Sequence, residues 1–270
     1  MATVEINGTA TYYERAGNGP TILFVHGTAG DADSWTDQCA RLSDRYMCVR
    51  YDRRGHSRST RGTAPISYDT YADDAAALIE ALGLAPCLLV GSSSGGAIAV
   101  AVALRHPHLL RGLLVGEPPL FSLDRSAGDA MLRELLPRLD AALGSGGPEA
   151  GIDAFFEYVC AQFWSSADPR RRGALRANAG IAFTDFEALS MDLTPSDLAS
   201  VHVPTLVVGG TESLPAFRSV ARQLSSALPD ARYVEFANSG HVTYAERPAE
   251  FAETVSVFAL ELDRRSRSNT

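Results

Sequence analysis

The stretch that decides the fold is Cys87-Leu88-Leu89-Val90-Gly91-Ser92-Ser93-Ser94-Gly95-Gly96-Ala97-Ile98-Ala99-Val100-Ala101. Its first four residues are apolar and predict a buried strand, and the small residues after Gly95 predict a helix that packs close to a sheet. Ser93 lies between them, in a turn where Gly91 and Gly95 avoid collisions with the strand and the helix. A strand, a sharp turn and a helix in this order expose a serine hydroxyl as a nucleophile. The pattern Gly91-Ser92-Ser93-Ser94-Gly95 is common by itself, so the prediction rests on the strand before it and the helix after it.

Strand-like and helical patterns alternate along the 270-residue chain. This alternation indicates an α/β fold with a mostly parallel sheet and helices on both faces. Asn7-Gly8 is a type I′ hairpin signal and joins the first two strands. The eight predicted strands are Thr3–Ile6, Thr11–Arg15, Thr21–Val25, Tyr46–Tyr51, Cys87–Val90, Gly112–Gly116, Thr205–Val208 and Arg232–Phe236. The helices predicted between and after them span 33–44, 68–83, 94–105, 215–228 and 246–262.

The segment 120–201 shows helical spacing without a strand pattern. Predicted helices over Met131–Leu143, Ile152–Phe163 and Arg172–Phe183 are separated by glycine and proline breakers, the first of which is Gly144–Pro148. The sequence therefore predicts a helical insertion in this segment.

We expect two domains: a core of residues 1–119 and 202–270, and a helical cap of residues 120–201. Apolar cap side chains are candidates for lining a substrate pocket, although at helical spacing many of them would simply form the interior of the cap. These candidates are Phe121, Phe155, Phe156, Tyr158, Phe163, Trp164, Phe183 and Met191.

The composition excludes several classes of protein. A net charge of −8 argues against a nucleic-acid partner, because binding to phosphates requires clustered Lys and Arg. No apolar run approaches the roughly 18 residues of a transmembrane helix, and the N-terminus lacks the features of a signal peptide, so we expect a cytoplasmic protein without a membrane partner. Metal-ligand spacings, a P-loop and a dinucleotide fingerprint do not occur, and the sequence predicts no metal and no cofactor.

Candidate chemical groups follow five of the predicted strands. In an open α/β sheet, ligands bind outside the carboxyl ends of the strands, so these groups are expected at one edge of the sheet. They are His26–Gly30, Gly91–Gly96, Glu117, Gly209–Ser213 and Gly240-His241.

His241 is the best-placed base for Ser93. A serine hydroxyl becomes nucleophilic when a histidine held by an acid removes its proton. His241 follows the last strand and comes after the serine in the chain, as the order serine, acid, histidine requires. The other histidines lie in glycine loops, beside a proline that ends a helix, or before a strand, where structural roles are expected. They are His26, His56, His106, His108 and His202.

His26-Gly27, Asp52–Ser57, Gly91–Gly96 and Ser239-Gly240-His241 together resemble the α/β-hydrolase family along nearly the whole chain outside the cap. The resemblance implies a serine hydrolase whose nucleophile is Ser93, the middle serine of Gly91–Gly96. It also implies a structural role for the Asp52-Arg53 pair.

An oxyanion hole is expected beside the nucleophile. Its donors would be the backbone N–H of Ser94, which follows Ser93, and a backbone N–H from the loop after His26-Gly27. Thr28 is the expected donor in that loop.

The acid departs from the family pattern. The family most often places an aspartate in the loop after Thr205–Val208, but the loop here reads Gly210-Thr211-Glu212-Ser213, with serine at that position. Glu117 and Glu212 are the alternatives. We favour Glu117, because its strand neighbours the nucleophile strand and its carboxyl end can approach the histidine loop. Val115–Pro119 is also similar to the acid-bearing segment of haloalkane dehalogenases and fungal zearalenone lactonases.

These observations predict a hydrolase that acts on a carboxylic ester or lactone through Ser93, His241 and Glu117, with an acyl-enzyme intermediate. The resemblance to zearalenone lactonases favours a bulky aromatic small-molecule substrate. Two alternatives share the scaffold: a cofactor-free lyase or C–C bond hydrolase, and a ligand receptor that retains the triad.

Overall fold

Eight strands form one sheet within residues 2–188 and 190–268, which the computed structural model describes. The strands are β1 (Ala2–Ile6), β2 (Thr9–Ala16), β3 (Thr21–Val25), β4 (Met47–Tyr51), β5 (Cys87–Ser92), β6 (Leu110–Gly116), β7 (Thr205–Gly210) and β8 (Ala231–Phe236). Their spatial order is β1-β2-β4-β3-β5-β6-β7-β8. β2 is antiparallel to β1 and to β4, and the other neighbouring pairs are parallel. The predicted fold class is confirmed, and each predicted strand overlaps an observed one.

Eleven α-helices and three 3₁₀ helices accompany the sheet in the same described part of the chain. The α-helices are α1 (Thr36–Leu42), α2 (Tyr68–Ala81), α3 (Ser94–Arg105), α4 (Arg125–Val159), α5 (Ala161–Ser166), α6 (Pro169–Ala177), α7 (Ala179–Ala188), α8 (Pro195–Ala199), α9 (Pro215–Ala227), α10 (Thr243–Glu246) and α11 (Pro248–Ser268). The 3₁₀ helices span Ala32–Trp35, Pro107–Leu109 and Phe121–Leu123.

Both faces of the sheet are buried. Side chains alternate between faces along a strand, so Leu23 and Val25 of β3 pack with α2, α3 and α9 on one face. Ile22 and Phe24 of the same strand pack with α1 and α11 on the other face. The uninterrupted apolar strands of the sequence follow from this double burial.

The strand order creates a crevice at the middle of the sheet. β3 lies between β4 and β5, so the strands after β5 extend the sheet in the direction opposite to β4 and β2. Ligands of open α/β sheets bind at such a switch point, outside the carboxyl ends of the strands. The loop after β3 contains Gly27, and the turn after β5 contains Ser93.

Some predicted helices have other bounds in the structure or are divided. The helix predicted over 246–262 corresponds to α11, which begins at Pro248, because proline is tolerated in the first turn of a helix but not in its interior; the predicted start at residue 246 is the last residue of α10. The helix predicted over Arg172–Phe183 is divided at Asn178 into α6 and α7.

The helices α4–α8, which we call the inserted helices, lie between β6 and β7. The predicted helix Met131–Leu143 lies inside α4. The predicted helix Ile152–Phe163 begins in α4 and continues in α5. α4 is interrupted at Gly147, where φ is 69° and ψ is −163°. Glycine reaches positive φ without a Cβ clash, so the break occurs at this residue rather than across Gly144–Pro148.

Asn178 attaches the inserted helices to the loop after β3. Its Nδ2 donates hydrogen bonds to the carbonyl oxygens of Ala29 at 3.1 Å and Gly30 at 2.9 Å. Its Oδ1 accepts from the backbone N–H of Ser57 at 2.8 Å. The two bonds from Nδ2 are buried and satisfy loop carbonyl groups that would otherwise lose water without compensation.

A buried ion pair makes a second attachment. Asp185 of α7 accepts a hydrogen bond from Arg53 Nη2 at 3.0 Å and another from the Tyr71 hydroxyl at 2.7 Å. Arg53 also donates to the carbonyl oxygen of Gly27 at 3.2 Å. Since a buried ion pair adds little net stability but penalises any arrangement that separates it, it specifies where α7 rests on the loops. Arg53 thus joins α7 to the loop after β3.

Candidate active site

Ser93 occupies a strained turn between β5 and α3. Its φ of 55° and ψ of −128° are sparsely populated for a residue with a side chain. The turn needs glycine on both sides, because a Cβ at Gly91 would lie 2.2 Å from the Gly95 carbonyl oxygen. A Cβ at Gly95 would lie 2.3 Å from the carbonyl oxygen of Val25. The Ser93 N–H donates to Gly116 of β6 at 2.7 Å and holds the turn against the sheet.

Glu117 and His241 meet beside this turn. Glu117 directly follows β6, and its Oε2 lies 2.8 Å from Nδ1 of His241. Glu117 is fully buried, and its Oε1 accepts from the Gly210 N–H at 2.9 Å. Its Oε2 also accepts from the Ser213 hydroxyl at 2.5 Å. A buried carboxylate needs several donors of this kind, since it has lost its hydration.

The other candidate acid points elsewhere. Glu212 is exposed, and its Oε1 accepts a hydrogen bond from the Thr211 hydroxyl at 3.3 Å. The structure therefore brings Glu117, and not Glu212, to the histidine. Ser213 directs its hydroxyl at the carboxylate of Glu117, so the loop after β7 reaches the site with a donor instead of an acid.

Nε2 of His241 is buried and has no hydrogen-bond partner among residues 2–188 and 190–268. An ionised carboxylate only accepts hydrogen bonds, so the contact with Glu117 assigns the ring proton to Nδ1 and leaves a lone pair on Nε2. His241 and Ser93 line one cavity, and the Phe217 ring packs 4.0 Å from the imidazole. The lone pair can therefore take up a proton within that cavity.

The loop after β3 approaches the nucleophile closely. A Cβ at Gly27 would lie 3.2 Å from Ser93 Cβ. Thr28 donates its hydroxyl to Ser94 Oγ at 3.3 Å. Ser94 begins α3, where the first N–H groups have no acceptor within the helix. The structure thus brings both expected oxyanion-hole residues to Ser93.

Glu246 braces the histidine loop. Its Oε2 accepts from the Ser239 hydroxyl at 3.0 Å and from the Gly240 N–H. Cys160 lies near this carboxylate and lines the cavity with Ser93. Burial raises the pKa of the Cys160 thiol well above its usual value, and the charges of Glu246 and Glu117 add to the effect. A raised pKa disfavours the thiolate, which is the reactive form of cysteine.

The glycine-loop histidines have structural roles. His26 Nε2 accepts from the Arg53 N–H at 3.0 Å, and His56 Nδ1 lies 3.2 Å from the Arg54 carbonyl oxygen. Burial lowers the pKa of both imidazoles well below the usual value, and the charge of Arg53 lowers it further. The lowered pKa favours the neutral form of both rings, and each ring contacts the backbone of the Asp52–Ser57 loop.

Two cavities meet at Ser93. The smaller has a volume of about 40 Å³ and the larger about 210 Å³. Thr28, Ser93 and Phe155 line both of them. Of the other apolar cap candidates, Phe121 lines the larger cavity, and Phe156 and Phe163 line the smaller.

Four cap candidates do not line either cavity, so the expectation that they line the substrate pocket is wrong for them. Trp164 stacks on Phe156 with ring centroids 4.9 Å apart, and Phe183 packs 5.5 Å from Phe186. Met191 is partly buried and packs against the apolar cluster that contains residues of α2, α3 and α9. The Tyr158 hydroxyl donates to Glu134 at 3.2 Å. Helical spacing identifies buried faces, but it does not tell which neighbour covers each face.

Several residues that line the two cavities were not predicted from the sequence. Three of them lie on α4 as apolar residues at helical spacing, and this spacing could have indicated them from the sequence. The others lie on separate elements and share no sequence pattern. The three on α4 are Met131, Leu132 and Leu135, and the others are Tyr68, Arg171, Phe186, Phe217 and Tyr244.

Comparison with known proteins places the chain in a family. Residues 22–254 match the model of the alpha/beta hydrolase family, and the chain belongs to this family. The non-heme chloroperoxidase of Streptomyces lividans is 32% identical over 227 residues, which are 78% of this chain and 82% of that protein.

Two solved structures share the whole architecture. The enol-lactonase from Burkholderia xenovorans LB400 has a TM-score of 0.77 and 27% identity, and the match covers 96% of this chain and 99% of that chain. Est816, described as an N-acyl homoserine lactone degrading enzyme, has a TM-score of 0.78 and 26% identity, with 95% and 99% of the chains covered. The expected resemblance to α/β-hydrolases is thus confirmed. No helix in the described ranges is long and apolar enough to cross a membrane.

Proposed function

We propose that the protein is a serine hydrolase that cleaves a carboxylic ester or lactone through Ser93, His241 and Glu117. The observation that carries this proposal is the 2.8 Å contact between His241 Nδ1 and Glu117 Oε2, with the imidazole and Ser93 lining one cavity. Similarity to an enol-lactonase and to a lactone-degrading enzyme supports the same bond type.

Acylation begins when Ser93 Oγ attacks the carbonyl carbon and its proton moves to His241 Nε2. The carbonyl oxygen becomes an oxyanion and accepts hydrogen bonds from the backbone N–H groups of Thr28 and Ser94. The bond to the alcohol oxygen then breaks, and this oxygen takes the proton from Nε2. Glu117 remains ionised and stabilises the imidazolium.

Deacylation repeats these steps with water. Water attacks the acyl carbon, and its proton passes to His241 Nε2. When the bond to Ser93 Oγ breaks, that oxygen recovers the proton from Nε2 and the carboxylic acid is released. The cycle needs no group beyond this chain and water.

We further propose that residues 120–201 form a cap over the core of residues 1–119 and 202–270. Phe155 of α4 lines both cavities at Ser93, so a helix of this segment covers the nucleophile. Asn178 and Asp185 hold α6 and α7 on the loops of the core. A cap attached in this way would control which substrates reach the serine.

The test is labelling and turnover of Ser93→Ala. A fluorophosphonate should label the unmodified protein at Ser93, as mapped by mass spectrometry, and short aryl esters should show an acyl burst. The variant should lose labelling and on the order of 10⁶-fold in kcat. Ser226→Ala, at an exposed helix position, is the matched control and should retain both. Undiminished ester turnover in Ser93→Ala would refute the proposal, and absence of any ester or lactone turnover would favour a lyase or a receptor.

A further inference from the structure

The two cavities that meet at Ser93 differ in size and in the catalytic groups that line them. His241 lines the cavity of about 40 Å³ and is absent from the lining of the cavity of about 210 Å³. Ser94, an expected oxyanion donor, lines only the larger one. An ester that reacts at Ser93 has its acyl group and its alcohol on different sides of the carbonyl carbon, so it can place one group in each cavity.

We propose that the preferred substrate is an ester with a bulky apolar acyl group and a small alcohol. This inference rests on the proposed serine hydrolase function. The breaking carbon–oxygen bond releases the alcohol oxygen, which needs the proton of His241 Nε2. The alcohol therefore lies in the small cavity, on the side of His241, and the acyl group extends into the large one.

The large cavity suits an apolar acyl group. Its volume of about 210 Å³ exceeds the roughly 150 Å³ that accommodates benzene in a protein interior. Its wall includes the aromatic rings of Phe121, Phe186 and Phe217, and Leu132 and Leu135 of α4. Asp185 also lines it, and both oxygens of this carboxylate accept hydrogen bonds, one from Arg53 and one from Tyr71. Phe186 is 37% exposed, so the wall reaches solvent there and a long acyl chain has a route in.

The small cavity limits the alcohol. Its 40 Å³ corresponds to about three water molecules. Arg171 forms part of its wall and is held by bonds to Asp31 at 2.7 Å and Ser34 at 2.6 Å. Asp31 balances the guanidinium charge, and moving the two side chains apart would leave the buried Asp31 carboxylate without its partner. The cavity should therefore accept alcohols of about two or three heavy atoms and resist enlargement.

Two isomeric esters test this orientation. Methyl nonanoate and octyl acetate have the same atoms. The first has a long acyl group and a small alcohol, and the second has a small acyl group and a long alcohol. We expect kcat/KM for methyl nonanoate to exceed that for octyl acetate by at least about tenfold, measured by proton release with methyl acetate as the small reference. Equal values or the reverse preference would overturn this inference while leaving the hydrolase proposal intact. Absence of turnover with all three esters would also overturn this inference, whereas the hydrolase proposal stands or falls with the labelling of Ser93 and with the aryl-ester and lactone assays.

A substitution in the large cavity supplies a second measurement. Leu132→Trp fills part of the cavity and should lower the ratio of kcat/KM for methyl nonanoate to that for methyl acetate by about tenfold. Leu136→Trp is the matched control, because Leu136 is one turn away on α4 and 51% exposed. Melting curves of both variants check the fold. A ratio that stays constant in folded Leu132→Trp, or falls equally in both variants, would place the acyl group elsewhere.

Discussion

The loop after β6 and the loop after β7 each carry a glutamate, but only one of the two reaches the histidine. Glu117 is fully buried and bonded to His241, Gly210 and Ser213, whereas Glu212 is exposed. The loop after β7 contributes two donors, the Gly210 N–H and the Ser213 hydroxyl. One loop thus supplies a buried carboxylate and the other supplies two of its hydrogen-bond donors, which shows that a carboxylate can be buried where surrounding donors replace its lost water.

Among changes in these two loops, the largest effect is expected from Glu117→Gln. This change keeps the side-chain volume and removes the charge that holds the His241 tautomer, so kcat should fall by about 10⁴-fold. Steady-state kinetics with an aryl ester measure the loss, and fluorophosphonate labelling checks that Ser93 remains accessible. A loss of less than about tenfold would mean that Glu117 is not the acid.

A carboxylate moved to the other loop should recover part of that loss. Ser213 Oγ lies 2.5 Å from the oxygen of Glu117 that faces His241, and an aspartate side chain extends further from the same backbone position. Glu117→Ala with Ser213→Asp should therefore exceed Glu117→Ala alone by about 10- to 100-fold in kcat, since a charged hydrogen bond is worth about 1.5–3 kcal/mol. No recovery in a folded double variant would contradict the idea that the two loops share one site.

Removal of the donor should have a smaller effect. Ser213→Ala deletes a charge-assisted bond to Glu117, and kcat should fall by about tenfold with KM nearly unchanged. Ser213→Thr restores the hydroxyl and should restore most of kcat. If both variants behave alike, Ser213 fills space without positioning the carboxylate.

Glu212→Ala should have the smallest effect. The side chain is exposed, and surface substitutions usually change stability by less than about 0.5 kcal/mol. Turnover should stay within about twofold of the unmodified protein under the same assay. A loss of several orders of magnitude here, with an active Glu117→Gln variant, would reverse the roles of the two loops.

Prediction from the sequence succeeded where local patterns reflect local sterics. The apolar run before Gly91, the small residues after Gly95 and the hairpin at Asn7-Gly8 correspond to β5, α3 and the β1–β2 turn. Prediction was weaker in the inserted helices. Asn178 and Asp185 bond to loops more than 100 residues away in the chain, and no repeating pattern marks them.

The sequence by itself determined the strand and helix pattern, the glycine turn around Ser93 and the position of His241 after the last strand, because backbone sterics and hydrophobic periodicity act between near neighbours. Only the tertiary structure decided which carboxylate lies against His241, since that contact joins residues 124 positions apart. It also decided which apolar side chains surround Ser93. Burial and hydrogen bonding between distant segments select these partners, and such selection appears only when the segments pack together.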